Sequence, residues 1–165
     1  MRGSYDRYVP EHRTTTRIQA PLSEVFAVFS NPQEAAKYLT RVQRVELLPD
    51  GAYREWRTLE NGTEIVQDFR VVELVPGRSC TLVSISSGVR FEFHSTFGHE
   101  SGETTVTILA TARAVTLGAR VLLPLIWWFV GPVARKSLAS DLEELQAGLE
   151  RPRGTGPIDT TPAST

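Results

Sequence analysis

A chain of 165 residues, 41% of them hydrophobic, is long enough to bury one substantial core and too short for a second domain. Its formal net charge of -1 comes with sixteen arginines and two lysines scattered along the chain, without the clustered basic face that nucleic-acid binders use. One cysteine, Cys80, cannot form an internal disulfide, and the opening MRGSYDRYVPEHRTTT holds no apolar secretory region, so a cytoplasmic location is expected.

Residues 1–13 read as an N-terminal extension that is partly flexible. Within and just beyond it, His12 to Gln19 alternates Thr and Arg and suits an exposed or edge strand. Ala20-Pro21 then opens a short helix carrying Leu22, Val25, Phe26 and Phe29 at helical spacing, which Asn31-Pro32 stops. Gln33 to Leu39 supplies a second brief helix. From Val42 the period changes to two, and six strand-like runs follow: Val42 to Leu48, Ala52 to Leu59, Thr63 to Val75, Ser79 to Ser86, Val89 to Phe97 and Glu103 to Val115. Pro49-Asp50-Gly51, Asn61-Gly62, Pro76-Gly77, Ser87-Gly88 and the Gly98 to Gly102 segment are of hairpin length, which predicts an antiparallel meander.

The last element is Leu117 to Glu150. From Ala134 onward Leu138, Leu142, Leu145 and Leu149 form an apolar stripe, with Glu143, Glu144 and Gln146 between them. Before it, the fourteen residues Val121 to Ala134 are apolar nearly all round, include Trp127, Trp128 and Phe129, and fall short of the roughly 20 needed to span a bilayer. Pro124 and Pro132 each lack an amide hydrogen, so a bend or break is expected over Leu117 to Val133, with a regular helix only after Pro132. Residues 151–165, RPRGTGPIDTTPAST, have no apolar periodicity and read as a disordered tail. The order of elements predicts an α+β fold with one face of the sheet covered by helix.

Parity within the strands predicts what faces inward. Phe91, Phe93, Phe97 and Ser95 share one face of their strand, and Val106, Ile108, Ala110, Ala112 and Ala114 share one face of theirs. In the third meander strand the even-numbered set Val66, Asp68, Arg70, Val72 and Leu74 is expected to point inward. Asp68 and Arg70 would then be the one inward polar pair, either satisfying each other as an ion pair at the rim or acting on a ligand, Arg70 by orienting a carbonyl or enolate and Asp68 by moving a proton. Trp56, Trp127 and Trp128 read either as core aromatics or as pocket walls.

Ile18-Gln19-Ala20-Pro21 with Val25-Phe26 and Asn31-Pro32, Val71-Val72-Glu73-Leu74-Val75-Pro76, Gly102-Glu103-Thr104-Thr105-Val106-Thr107, and Asp141-Leu142 with Leu145 occur in the order and spacing of a known superfamily. In these motifs the chain resembles the START-like or SRPBCC domains, which include polyketide cyclase/dehydrase-like and lipid-transfer proteins. The resemblance covers residues 14–150. It implies a helix-grip fold: a curved antiparallel sheet of about seven strands wrapped around a long C-terminal helix, with two short helices after the first strand and a hydrophobic cavity between sheet and helix. It carries over no catalytic set, because function resides in sites and not in the fold.

The leading expectation is therefore binding, and transport, of a hydrophobic small molecule such as a lipid, isoprenoid or polyketide-like compound. Its expected contacts are Trp56, Val66, Asp68, Arg70, Phe91, Phe93, Ser95, Ala110, Ala112, Trp127 and Trp128. A polyketide cyclase or dehydratase using Asp68 and Arg70 is the alternative, and a module that contacts a membrane or a partner through Trp127 to Phe129 is a third reading. No cofactor is expected, since no dinucleotide or Walker-type glycine loop is present, and no metal, since His12, His94 and His99 lack zinc-site spacing.

Overall fold

The computed structural model describes residues 10–151, with the side chains of 124–130 excepted. The expected disordered tail therefore lies almost wholly outside the described residues, as do residues 1–9 of the N-terminal extension. The elements run β1 (Glu11–Ile18), α1 (Leu22–Ser30), α2 (Pro32–Ala35), β2 (Val42–Leu47), β3 (Tyr53–Thr58), β4 (Glu64–Val75), β5 (Ser79–Ser86), β6 (Val89–Glu100), β7 (Glu103–Ala114) and α3 (Leu117–Leu149). The strands form a seven-stranded antiparallel sheet in the order β1-β7-β6-β5-β4-β3-β2. The Thr- and Arg-rich β1 is an edge strand paired with β7; the chain crosses through α1 and α2 to the opposite edge at β2, and six consecutive hairpin-linked strands bring it back. With α3 packed across the concave face, this is the helix-grip fold.

Local chemistry explains the boundaries. Asn31 caps α2 by accepting a hydrogen bond from the Gln33 amide at 3.0 Å, with Pro32 at the first helical position. Thr116 does the same for α3, its hydroxyl accepting from the Ala119 amide at 3.2 Å. The β5–β6 turn places Ser87 at φ 51 and Gly88 at φ 74, the left-handed pair that a tight hairpin requires. Gly88 is also held by space, because a Cβ there would collide with the Thr116 cap. The break expected at the two prolines does not occur: α3 is one continuous helix from Leu117 to Leu149. Each proline removes a single amide donor and leaves the remaining ladder of the turn in place.

The main core lies between β1, β7, α1 and the C-terminal half of α3. Ile18, Ala20, Val25, Val106, Ile108 and Leu142 are buried together, with Phe29, Phe93, Phe97, Leu138 and Leu149 packed against them. A second cluster of Val28, Leu39 and Leu145 joins α1 and α2 to the same helix. Phe97 receives Phe26 and Phe29 edge-on at 5.2 and 5.9 Å. A third cluster, Val89, Ala112, Ala119 and Leu123, fixes the N-terminal end of α3 to the far ends of β6 and β7.

Candidate site on the concave face

Residues directly opposite one another in an antiparallel ladder share a face, so the register assigns every inward side chain. From β7, Ala110 and Ala112 oppose Phe93 and Phe91 of β6; these oppose Leu82 and Ser84 of β5; and Ser84 opposes Phe69 of β4, which opposes Tyr53 of β3. The inward residues of β3 are therefore Tyr53, Glu55 and Arg57, and those of β4 are Ile65, Gln67, Phe69 and Val71. Burial agrees, since Ile65, Gln67, Phe69 and Val71 are half-buried while Glu64, Val66, Asp68, Arg70 and Val72 are exposed.

This reverses the expected parity of β4. Val66, Asp68 and Arg70 lie on the convex face, and the Asp68–Arg70 pair is not made. Asp68 instead accepts a two-pronged contact from Arg54 of β3, Nε to Oδ1 at 2.6 Å and Nη2 to Oδ2 at 2.8 Å, and Arg70 pairs with Asp50 in the β2–β3 turn. The Arg54 hydrogen bond holds the Asp68 carboxyl below its ordinary range, so it is a permanently ionised surface group with no proton to manage near neutral pH. Trp56 is on the same outer face, opposite Val66, with the Arg44 guanidinium stacked 3.8 Å from its ring centre. The apolar pattern of β4 is ambiguous because both parities carry apolar residues, and a register shift between Val71 and Glu73 returns Leu74 to the phase of Val71.

The expected residues of β6 and β7 do face inward. Phe91 and Phe93 are half-buried, Ser95 is buried, and Ala110 is half-buried beside Phe93. Ala112 is wholly buried in the cluster with Val89, Ala119 and Leu123, so that corner is filled by packing and is no wall of an open space. The side chains of Trp127 and Trp128 lie outside the described residues. Across the sheet Tyr53 stacks on Phe69 at 5.3 Å and 14°, and Phe69 meets Phe93 at 6.4 Å, which makes an aromatic row from β3 to β6. Phe69, Phe91 and Phe93 are half-buried and all retain solvent-accessible surface.

At the β3 end of the row sits a polar cluster that parity reasoning on β4 missed. Arg57 donates from Nε to Glu55 Oε1 at 2.7 Å and from Nη1 to Asp141 Oδ2 on α3 at 2.6 Å. The three side chains are only 13–18% exposed. Burial raises the Asp141 carboxyl above its ordinary value, against the opposing pull of Arg57. Gln67 donates to Ser84 at 2.9 Å beside the aromatic row. Tyr53 is almost completely buried, and burial first and Glu55 second push its phenol far above the ordinary range, so it remains a protonated donor. Among the described residues no buried side-chain nitrogen or oxygen lacks a partner. The Tyr53 hydroxyl and Arg57 Nη2 have no partner among the described residues, so both reach accessible space. One signal for this cluster was present in the sequence: Asp141 lies three residues after Leu138 and four before Leu145, a carboxylate set into the apolar stripe of the helix.

Chemically, this face joins a row of aromatic side chains, Tyr53, Phe69 and Phe93, to the polar cluster of Glu55, Arg57 and Asp141 at its β3 end. A separate depression of about 260 Å³, lined by Glu24, Tyr38, Gly148, Leu149 and Arg151, lies at the C-terminal end of α3, away from the aromatic row. Among the described residues no helix is long and apolar enough to cross a membrane.

No curated protein matches the chain. Solved structures resemble it at low identity. The di-domain ARO/CYC BexL from the BE-7585A biosynthetic pathway is 19% identical with a TM-score of 0.71, the match covering 87% of this chain and 51% of that one. The Zhui aromatase/cyclase from Streptomyces sp. R1128 is 16% identical with a TM-score of 0.68, covering 87% and 95%. The protein TTHA0849 from Thermus thermophilus is 20% identical with a TM-score of 0.60, covering 86% and 94%. The chain thus spans about half the length of BexL, and at these identities the likeness establishes the shared fold. The family model described as polyketide cyclase / dehydrase and lipid transport matches residues 10–151, and with the seven-stranded sheet and the grip helix in agreement, the chain belongs to that family.

Proposed function

We propose that the concave face binds an elongated, ring-bearing apolar small molecule of the polyketide or lipid kind, with an oxygen substituent set against Tyr53 and Arg57. The observation that carries this reading is the pairing of an aromatic row, in which Phe69 and Phe93 keep accessible surface beside the buried Tyr53, with two donors that have no partner among the described residues, the Tyr53 hydroxyl and Arg57 Nη2. Stacking faces accept flat rings, and a guanidinium edge and a phenol donate to carbonyl or enolate oxygens, the usual division of labour in an apolar ligand site. Family membership agrees with such a ligand class.

A second reading, cyclisation or dehydration of the bound molecule, is favoured by one feature: Asp141 is a buried carboxyl with a raised pKa beside a guanidinium, the arrangement that lets a carboxyl exchange a proton near a developing enolate. This assigns to Asp141 and Arg57 the chemistry expected of Asp68 and Arg70. The test is native mass spectrometry of freshly purified protein for a co-purifying molecule, together with titration of an apolar fluorescent probe, anilinonaphthalene sulfonate, into wild type and Phe93→Asp. Saturable binding that the substitution abolishes is expected. Absence of both a co-purifying molecule and saturable probe binding would remove the binding reading.

A further inference from the structure

The N-terminal half of α3 carries apolar side chains on its exposed side as well as on its buried one. Ala119, Leu123 and Gly131 are its buried positions among the described residues, and four large apolar side chains are exposed beside its cations: Leu117 is 77% exposed, Val121 78%, Leu122 51% and Val133 55%. Val115, just before the helix, is 49% exposed on the same stretch. Contiguous exposed aliphatic side chains on one element are costly in water and mark a surface that meets something apolar.

Charge says what that something is. Between Glu103 and Asp141 the sequence contains no acidic residue, while Arg113, Arg120, Arg135 and Lys136 are all present and exposed. Lys136 contacts Glu60 at 2.9 Å, and the Arg135 Nε donates to the Gly131 carbonyl within its own helix; among the described residues no ion pair involves Arg113 or Arg120. Arg120 and Arg135 are separated by about 22 Å along the helix axis at 1.5 Å per residue, and the sequence between them is uncharged. An apolar bar with cations at both ends matches a helix lying in the plane of a bilayer, its aliphatic side chains among the upper acyl chains and its arginines at the phosphates. A second copy of the chain fits poorly, because a two-fold interface would bring the same face, with Arg120 and Arg135 on it, against itself. The uncharged stretch between the two arginines is too short to span a bilayer.

We propose that the N-terminal half of α3 is a peripheral docking surface for lipid bilayers that carry anionic phospholipids, through Leu117, Val121 and Leu122 with Arg120 and Arg135. The proposal does not rest on the ligand reading, since it uses no residue of the aromatic row. Sedimentation of the full chain with phosphatidylcholine vesicles, with and without phosphatidylserine, tests it. Binding is expected only with phosphatidylserine, weakening as salt is raised, and falling at least about tenfold in both Leu117→Asp/Val121→Asp and Arg120→Glu/Arg135→Glu. All four positions are exposed, and a urea melt of each variant checks that the fold is kept. The proposal is overturned by no vesicle binding, by equal binding to neutral and anionic vesicles, or by light scattering that shows a dimer which Leu117→Asp/Val121→Asp dissociates.

Discussion

Arg57 Nη1 lies 2.6 Å from Asp141 Oδ2, a contact between residues 84 apart that ties β3 to α3 across the concave face. With Glu55 on the other side of the guanidinium, one cation offsets two carboxylates in a partly desolvated setting. Removing the cation should be far worse than removing the whole cluster. Arg57→Ala is expected to lower stability by about 3 kcal/mol, the lower end for a broken buried pair because some solvent still reaches it. Arg57→Met with Glu55→Gln and Asp141→Leu should recover most of that loss. Urea denaturation of both variants measures the difference, and equal losses would show that the charges do not act as a unit.

Asp141 also carries a pH signature. Its folded pKa is raised, so between its ordinary value near 3.8 and the raised value the folded state binds more protons than the unfolded state. Its contribution to stability therefore declines as pH rises through that window and improves as pH falls. Asp141→Asn removes this term, so the stability of wild type relative to the variant should grow on acidification from neutral toward pH 4. Urea midpoints across that range give the slope, and a slope of opposite sign would mean that Arg57 dominates burial.

Asp68→Asn tests the residue that strand parity alone would choose. The Arg54–Asp68 pair is nearly half exposed, so the substitution should cost no more than about 1 kcal/mol and leave probe affinity unchanged. A large loss of binding or turnover in this variant would place chemistry on the convex face.

Two neighbouring alanines of β7 should respond differently. Ala112 is fully buried under Ala119 and Leu123, so Ala112→Trp should overpack and lose at least about 1–3 kcal/mol. Ala110 is half-buried beside Phe93, so Ala110→Trp should keep stability and lower probe affinity by covering the aromatic row. Thermal melts and probe titration separate the two; similar stability losses in both would make the surroundings of Ala110 packed core.

Cys80 is 1% exposed on the concave side of β5, and burial raises its thiol pKa. Reaction with Ellman's reagent at pH 8 should be slow in the folded protein and fast in urea, with the folded-state rate set by opening of the sheet–helix contact. Probe at saturating concentration should slow it further. Fast labelling of the folded protein would contradict its burial.

Much of this architecture is written in local sequence. Hairpin pairs such as Ser87-Gly88, the Asn31-Pro32 stop and the Leu138, Leu142, Leu145, Leu149 stripe depend on backbone geometry and periodicity within a few residues, and they determine the strands, the short helices and the grip helix without reference to anything distant. The inward face of β6 and β7 was legible for the same reason, since Phe91, Phe93 and Phe97, or Val106 and Ile108, fall cleanly on one parity. The site was not legible on β3 and β4. There Trp56 and Val66 look like core and Arg57 looks like surface, and only the register across four strands, the shift at Val71/Glu73, and the reach of Asp141 from α3 decide otherwise. A one-residue change of phase exchanges every side chain between faces, so where both parities carry apolar and charged residues the choice is made by long-range pairing and by which carboxylate the helix brings to meet the arginine.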